Sequence, residues 1–193
     1  MPEQEQRKKE QLEQIKADIL KSNICSNLAQ DATQLVMGQG SFEAKIVFIG
    51  EAPGKQEDLQ GIPFVGSAGK LLDEMLASIG LDRASVYITN IVKYRPPNNR
   101  DPLPDEKQVF WPFLLRELKV IDPQLVVCLG RHSMGYFLPN ARITEAHGKV
   151  GRAILGDKEV KVLPLYHPAA ALYNGGLRQT LFNDFKNIKQ IIL

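Results

Sequence analysis

The chain has 193 residues, 44% hydrophobic and 24% charged, which is typical of a globular protein large enough to bury a full core. No apolar run approaches the roughly 18 residues of a membrane span, and the charged segment from Met1 to Lys16 predicts no secretory signal. The net charge of +2 permits nucleic-acid binding without requiring it, and two cysteines, Cys25 and Cys128, exclude a disulfide framework. We therefore expect a protein of the reducing cytoplasm.

Hydrophobic spacing predicts strands that alternate with helices. The predicted strands span 45–49, 86–89, 125–129 and 160–165, with minor strands within 142–156. The predicted helices lie within 1–22, from about 68 to 79, from 105 to 121 with Asp105 as N-cap, after Gly130, at 168–173 and at 177–191. Residues 22–44 and 55–67 are predicted as loops. This alternation predicts a single domain over 1–193, with a three-layer α/β/α fold around a central, mostly parallel four-stranded sheet.

Polar residues follow three of the predicted strands. Glu51 follows the first strand within the glycine-bracketed turn Gly50–Gly54, Asn90 ends the second, and His167 follows the fourth. The carboxyl ends of parallel strands meet at one edge of a sheet, where ligands bind in such folds, so we expect these side chains to converge. Taken singly, each also suits a structural role, such as a turn residue or a hydrogen-bonded histidine. Their common position predicts a site.

The motifs resemble, in order and spacing, those of the family 4 uracil-DNA glycosylases from about residue 22 to 190. The matching stretches are Gly50–Gly54, Glu57-Asp58, Gly61–Gly69, Tyr87–Lys93, Arg95–Arg100 and His167-Pro168. The resemblance implies a monofunctional enzyme that extrudes uridine from DNA and hydrolyses its N-glycosidic bond, the first step of base-excision repair. A glycosylase with a broader range of deaminated bases remains an alternative.

The resemblance also implies roles for individual residues. The residues expected to line the uracil pocket are Gly50, Glu51, Ala52, Pro53, Phe64, Asn90 and His167. Phe64 would stack on the base, and Asn90 would bind the N3–H and O4 of uracil, a pattern that cytosine does not present. His167 would donate a hydrogen bond to uracil O2. Glu51 would stabilise the cationic sugar or orient the attacking water, with Glu57 or Asp58 as alternatives.

A second set of residues is expected to contact DNA outside the pocket: Lys93, Arg95, Arg100, Leu172, Tyr173 and Arg178. The first three lie in a basic, proline-rich loop, for which a solvated surface loop is the alternative interpretation. The segment 169–178 resembles the loop that enters the DNA helix. There Leu172 or Tyr173 would fill the gap left by the flipped base, although both would also suit packing against the last helix.

The chain departs from the family at the iron–sulfur cluster. Family 4 members normally carry four cysteine ligands, and the corresponding positions here are Asn23, Ser26, Tyr94 and Phe110. Cys25 lies close by but out of register. Because such a cluster needs thiolate ligands, we predict that this chain has no cluster and no metal. Tyr94, Phe110, Trp111 and Leu28 are expected to replace it by hydrophobic packing.

Three other functions agree less well with the sequence: a non-catalytic DNA-binding protein, a covalent DNA trap and a nucleotide hydrolase. A DNA-binding relative without turnover is consistent with the missing cysteines, but the presence of Glu51, Phe64, Asn90 and His167 argues against it. A covalent DNA trap would need a histidine between residues 91 and 131, and a nucleotide hydrolase would need a phosphate-binding glycine loop with lysine; neither pattern is present. His132 is interpreted as a surface residue at the start of a helix, and His147 as a turn residue. We expect a monomer that acts in the cytoplasm at the nucleoid on uracil-containing DNA, without membrane association.

Overall fold

A six-stranded sheet forms the middle layer of the structure, a computed structural model that describes residues 3–192. The strands are β1 (Gln39–Gly40), β2 (Ile46–Gly50), β3 (Tyr87–Asn90), β4 (Leu125–Leu129), β5 (Gly151–Leu155) and β6 (Lys158–Leu165). They lie in the order β1-β3-β2-β4-β6-β5. The four central strands are parallel, and the two edge strands are antiparallel to their neighbours. The two innermost strands, β2 and β4, are apolar throughout because both faces of the sheet are covered there.

Helices cover both faces of this sheet. They are α1 (Glu3–Ser22), α2 (Ser26–Asp31), α3 (Lys55–Gln60), α4 (Ser67–Ser78), α5 (Pro104–Ile121), α6 (Arg131–Phe137), α7 (Ile143–Ala146), α8 (Pro168–Ala171), α9 (Gly175–Phe185) and α10 (Asn187–Ile192). One apolar cluster joins α1 and α5 to the sheet, and a second joins α4, α9 and α10 to the opposite face. The predicted three-layer architecture is thus confirmed. No helix within residues 3–192 combines the length and hydropathy needed to cross a membrane.

The structure corrects several local predictions. Residues 55–60, predicted as loop, form helix α3, which is too short and too polar for its periodicity to be recognised. Residues 39–40 form the edge strand β1, and residues 143–146 form a helical turn rather than a strand. Helix α5 begins before Asp105: the Glu106 carboxylate, not Asp105, accepts a hydrogen bond from Leu103 N at 2.8 Å.

The parallel register gathers the strand ends at one edge. Gly50 at the end of β2 pairs with Asn90 at the end of β3, and the ladder continues with Ile91 N donating to Gly50 O at 3.1 Å. Strands β4 and β6 end side by side at Leu129 and Leu165. The turns that follow these strands therefore meet above one edge of the sheet.

A buried ion pair anchors the end of β3. Lys93 is fully buried, and its Nζ lies 2.5 Å from Glu117 Oε2, 2.6 Å from Thr89 Oγ1 and 2.9 Å from Asn90 O. The other oxygen of Glu117 accepts a hydrogen bond from Tyr87 OH at 2.7 Å. Burial lowers the pKa of Lys93, while the adjacent carboxylate favours its charged form. The ion pair thus holds the main chain at Asn90 through the hydrogen bond from Lys93 to the Asn90 carbonyl.

Removal of one partner should destabilise the fold strongly. Glu117→Gln leaves the Lys93 ammonium buried without its counter-charge, so we expect a loss of about 3–5 kcal/mol in the free energy of unfolding. The double variant Lys93→Met, Glu117→Gln should be more stable than either single variant. Urea unfolding followed by circular dichroism at pH 7 measures both effects.

The matched control is Glu159→Gln, which breaks the exposed ion pair between Arg152 and Glu159. Exposed pairs contribute little, so this variant should unfold like the parent chain. Equal stabilities for Glu117→Gln and Glu159→Gln would contradict the importance given to the buried pair.

Candidate active site

A pocket of about 420 Å³ opens above the carboxyl ends of the parallel strands. Its walls include six of the seven residues predicted to bind the base: Glu51, Ala52, Pro53, Phe64, Asn90 and His167. The seventh, Gly50, lies directly behind Asn90 and Phe64. The residues that sequence reasoning placed in one site therefore do meet around one cavity.

Gly50 gives this pocket its depth. A Cβ atom at this position would lie 2.4 Å from Asn90 Oδ1 and 2.5 Å from Phe64 Cζ, closer than any normal contact. The absence of a side chain lets the asparagine amide and the aromatic ring approach the backbone of β2. Gly50 does not line the pocket, but its lack of a side chain allows Asn90 and Phe64 to occupy their positions in the pocket wall.

Asn90 presents an unpaired hydrogen-bonding group to the pocket. Its side chain is buried, and no residue within 3–192 pairs with its Oδ1. A buried acceptor without a partner is costly, and such groups in native structures call for an explanation. The main chain of Asn90 is held by the β2 ladder and by Lys93, so the amide cannot turn away freely. The arrangement suits a ligand that supplies an N–H group.

Phe64 forms a flat apolar wall held in a strained conformation. Its φ of +54° lies in the left-handed region, which bulky residues rarely adopt. The Glu57 carboxylate stabilises the following turn by accepting hydrogen bonds from Val65 N at 2.9 Å and Gly66 N at 2.7 Å. The Phe64 ring centroid lies 5.7 Å from that of His167. The two rings thus border the same part of the pocket.

Of the alternative carboxylates, Asp58 lies buried outside the pocket wall. It accepts hydrogen bonds from Thr33 N and Thr33 Oγ1, both at 2.9 Å. Glu57 reaches the pocket, but one of its oxygens is occupied by the turn after Phe64. Glu51 alone among these three carboxylates makes no such backbone-anchoring bond within residues 3–192. This difference favours Glu51 as the reactive group.

His167 is held as a neutral imidazole with a defined tautomer. Its Nδ1 accepts a hydrogen bond from Ala169 N at 3.1 Å, so the ring proton lies on Nε2. Burial, together with the neighbouring His132, lowers the pKa of His167 to about 4, although the Glu57 carboxylate opposes this shift. At neutral pH the ring is therefore an uncharged N–H donor in the pocket wall.

Glu51 is the complementary titrating group. Burial raises the pKa of Glu51 to about 7, and the nearby Asp101 carboxylate adds to this rise, while Lys107 and Arg131 oppose it. Its Oε1 is buried without a well-formed hydrogen bond to any residue of the described range. The nearest charged or titratable partner is His132, whose Nε2 lies 3.3 Å away.

The proximity of His132 was not predicted from the sequence, which assigned this residue a surface role. The available signal was its position: it follows Gly130, directly after the end of the parallel strand β4. That is the same edge to which Glu51, Asn90 and His167 were assigned. His147, by contrast, lies 2.6 Å from Asp184 and its ring stacks near Tyr166.

Of the three basic residues predicted to contact DNA in the loop after β3, one is buried and two lie at the surface with polar partners. Lys93 is a correction: its side chain is fully buried against Glu117 and cannot reach a phosphate. Arg100 lies at the pocket rim, but its guanidinium is held by Glu106 through contacts of 2.7 and 2.8 Å. The Arg95 Nε donates to Asn99 at 2.7 Å.

The loop after His167 separates the two candidate apolar residues. Leu172 packs against the apolar cluster formed by α4 and α9, whereas Tyr173 is 96% exposed. Arg178 on α9 is half-exposed, pairs with Glu74 and lies over the Phe182 ring. Tyr173 is thus the one of the pair that projects into solvent.

The positions that correspond to cluster ligands do not suit an iron–sulfur group. Tyr94 and Phe110 are buried and pack edge to face, with ring centroids 6.0 Å apart. Burial raises the pKa of the Cys25 thiol to about 11, and one cysteine supplies at most one of the four thiolate ligands of such a cluster. Cys128 lies within the buried strand β4.

Comparison with known proteins agrees with this geometry. The family described as the uracil DNA glycosylase superfamily matches residues 37–188. A type-4 uracil-DNA glycosylase of Archaeoglobus fulgidus is 48% identical over 187 residues, which cover 94% of each chain. Proteins of the same description from Sulfurisphaera tokodaii and Thermotoga maritima are 47% and 38% identical over 188 residues, covering 94% and 95% of this chain and 85% and 96% of theirs.

The raised pKa of Glu51 predicts a pH-dependent effect on stability. The folded chain binds the Glu51 proton up to about pH 7, whereas the unfolded chain releases it near 4.5, so this stabilisation is present below pH 4.5 and lost by about pH 7. Glu51→Gln, which is neutral throughout, should therefore be more stable than the parent at pH 8 by roughly 2–3 kcal/mol. At pH 4 the two chains should unfold alike. A stability difference that stays constant from pH 4 to 9 in denaturant titrations would contradict this assignment.

Proposed function

The chain belongs to the uracil-DNA glycosylase superfamily and to its type-4 family, and from this membership we propose that it hydrolyses the N-glycosidic bond of deoxyuridine in DNA. The observation that carries the proposal is the unpaired Asn90 Oδ1 inside a pocket bordered by Phe64 and a neutral His167. A ligand that satisfies this wall must be flat and must offer an N–H group. The uracil base has both properties.

Recognition of the base follows from the groups in the wall. The N3–H of uracil would donate to Asn90 Oδ1, and O4 would accept from the amide nitrogen. Cytosine has an unprotonated N3 and an amino group at C4, so Oδ1 would lose its partner and both amide contacts would be mismatched. Phe64 would stack on the ring. Its strained backbone is held by the Glu57 turn, so the ring is already in place before the base arrives.

The catalytic step needs opposite charges stabilised at two points. As the bond to C1′ breaks, uracil gains negative charge at O2, and the Nε2–H of His167 would donate to that oxygen. The sugar gains positive charge, which an ionised Glu51 would stabilise while it orients the attacking water. Water adds to C1′, and the released uracil anion takes up a proton. The roles of the two groups require Glu51 charged and His167 neutral, a combination favoured above about pH 7.

Contact with DNA is assigned to the rim of the pocket. Arg95, Arg100 and Arg178 would bind phosphates, with Arg100 presented by its pairing to Glu106. Tyr173 would enter the space vacated by the flipped nucleotide, supported by its exposure in the turn between α8 and α9. Leu172 would instead brace that turn from within the core.

We further propose a single domain that acts as a monomer in the cytoplasm at the nucleoid, without a cofactor. The substrate class supports the location, and one continuous sheet with helices on both faces supports the domain assignment. A non-catalytic DNA-binding protein is the outcome that the activity assay below would reveal.

The activity assay uses a duplex oligonucleotide with one central uracil, followed by alkaline cleavage of abasic sites. We expect cleavage of the uracil strand, none of matched thymine and cytosine strands, and no inhibition by chelator. Asn90→Ala and His167→Ala should each lower the single-turnover rate by about 10²–10³-fold, because Asn90 positions the base and His167 donates a hydrogen bond that strengthens in the transition state. The matched control is Asn183→Ala on the exposed face of α9, which should retain full activity. Binding of the uracil duplex without cleavage would overturn the enzymatic proposal.

The proposed absence of a cluster has a separate test. Protein produced with iron and sulfide in excess should carry substoichiometric iron and show no broad absorption near 400 nm, as expected for a chain without the thiolate ligands. Cys25→Ser should keep the fold and activity, since its half-buried thiol has a pKa raised to about 11 and is protonated at neutral pH. Iron at several atoms per chain, lost together with activity in Cys25→Ser, would refute this part of the proposal.

A further inference from the structure

We propose that His132 is a positioning residue for the glycosylase reaction, which orients the Glu51 carboxylate by donating a hydrogen bond from Nε2 to Oε1. This inference rests on the proposed function and extends it to a residue outside the family motifs named above. His132 begins the helix after β4, and its Nε2 lies 3.3 Å from Glu51 Oε1. This contact is not a hydrogen bond in the present structure, where Oε1 has no partner within residues 3–192, and the proposed bond forms when the site tightens around its substrate, as is common in catalytic sites.

Lys107 determines which nitrogen of His132 carries the proton. Its Nζ lies 3.1 Å from His132 Nδ1. An ammonium group only donates, so Nδ1 accepts and the ring proton of the neutral imidazole lies on Nε2. The Arg131 Nε–H points at Nε2 from 3.2 Å, and this exposed side chain must turn away for Nε2 to donate to Glu51. The two carboxylates on that side, Glu51 and Asp101, favour the same tautomer.

His132 is neutral at pH 7 for the same reasons. Burial lowers its pKa, and the positive charges of Lys107 and Arg131 lower it further, while Asp101 opposes them. His132 therefore acts on Glu51 as a dipole and not as a cation. Hydrogen bonding to the charged form of a carboxylate favours that form, so His132 offsets part of the penalty that burial imposes on ionised Glu51.

The other groups around Glu51 cannot take over this role. Asp101, with Oδ2 3.4 Å from His132 Nε2, competes for the same proton and repels ionised Glu51. On the opposite wall, His167 is directed to the base pocket with Nδ1 bonded to Ala169, and Glu57 is an acceptor. Lys55 is exposed at the pocket mouth, and Arg100 is paired with Glu106.

A divalent cation between Glu51, Asp101 and His132 is the competing explanation, since one ligand atom of each lies within 4.8 Å of the others. The ammonium of Lys107 occupies Nδ1, and Arg131 lies against both His132 and Asp101. Two cations at the site oppose a third. The hydrogen-bonding role is therefore the one that these contacts favour.

The test compares His132→Leu with His132→Gln, whose side-chain amide restores a donor near the Nε2 position. Single-turnover rates on the uracil duplex are measured from pH 5 to 9. His132→Leu should lower the rate by about 10–100-fold, as expected for a lost hydrogen bond to a charged group, and move the midpoint of the acid limb to higher pH. His132→Gln should recover most of the lost rate and most of the shift in the acid-limb midpoint. Asp101→Asn should move that midpoint to lower pH, because it removes a negative charge close to the Glu51 carboxylate.

A second readout does not depend on turnover. The pKa of Glu51 is followed by NMR of chains with ¹³C-labelled glutamate, using Glu51→Gln to assign the signal. An upward shift in His132→Leu and a downward shift in Asp101→Asn support the contact even if the wild-type chain releases no uracil, a result that would defeat the proposed function alone. Equal loss of rate in His132→Leu and His132→Gln, with the Glu51 pKa unchanged in both, would overturn the inference. Inhibition of wild-type by micromolar Zn²⁺ that disappears in His132→Gln, with no pKa effect, would likewise replace it with a metal site.

Discussion

The pairing of Gly50 with Asn90 across two parallel strands is the contact on which the pocket depends. It places a residue without a side chain next to a residue whose amide must point outward, and the ring of Phe64 fills the remaining space. Below this pair, the ion pair between Lys93 and Glu117 holds the main chain of Asn90. A buried ion pair contributes little net stability compared with an apolar pair, but it has strict geometric requirements. Here those requirements fix Asn90, the residue proposed to bind the base.

The surroundings of His167 and Glu51 shift the pKa values of these two side chains in opposite directions. His167 is partly buried near another imidazole and stays neutral, whereas Glu51 is partly buried near a carboxylate and holds its proton up to about pH 7. Pairs of titratable groups pushed apart in this way indicate how acid, base and hydrogen-bond donor roles are divided. In the present case the useful combination, a charged carboxylate and a neutral imidazole, lies on the alkaline side. Any group that lowers the pKa of Glu51, such as a donor at His132, widens that range toward neutral pH.

Most of the pocket was predictable because it depends on strand ends, which hydrophobic runs locate well. Glu51, Asn90 and His167 each follow a buried strand, and the parallel arrangement brings them together. The interactions that could not be predicted from the sequence are those of long polar side chains. Lys93 appeared as part of a basic surface loop, yet it turns inward to Glu117, which lies 24 positions away on α5. His132 also follows the end of a strand, but no recognisable motif surrounds it. Its contact with Glu51 is made only in the folded chain and could not be predicted from residue spacing.

The missing cluster ligands raise the question of what holds the same segments together. The four positions lie before α2, at its start, in the loop after β3 and on α5. The Glu106 carboxylate on α5 joins α2 to the loop: it accepts from Asn27 Nδ2 on α2 at 3.1 Å and from both terminal nitrogens of Arg100 in the loop. Arg100 lowers the pKa of Glu106, which keeps the carboxylate charged for these bonds. Beside it, Tyr94 and Phe110 form an aromatic contact between the loop and α5. A hydrogen-bonded carboxylate and two rings thus provide the cross-links between α2, the loop and α5, and because Arg100 also lines the pocket, this brace extends directly to the rim of the site.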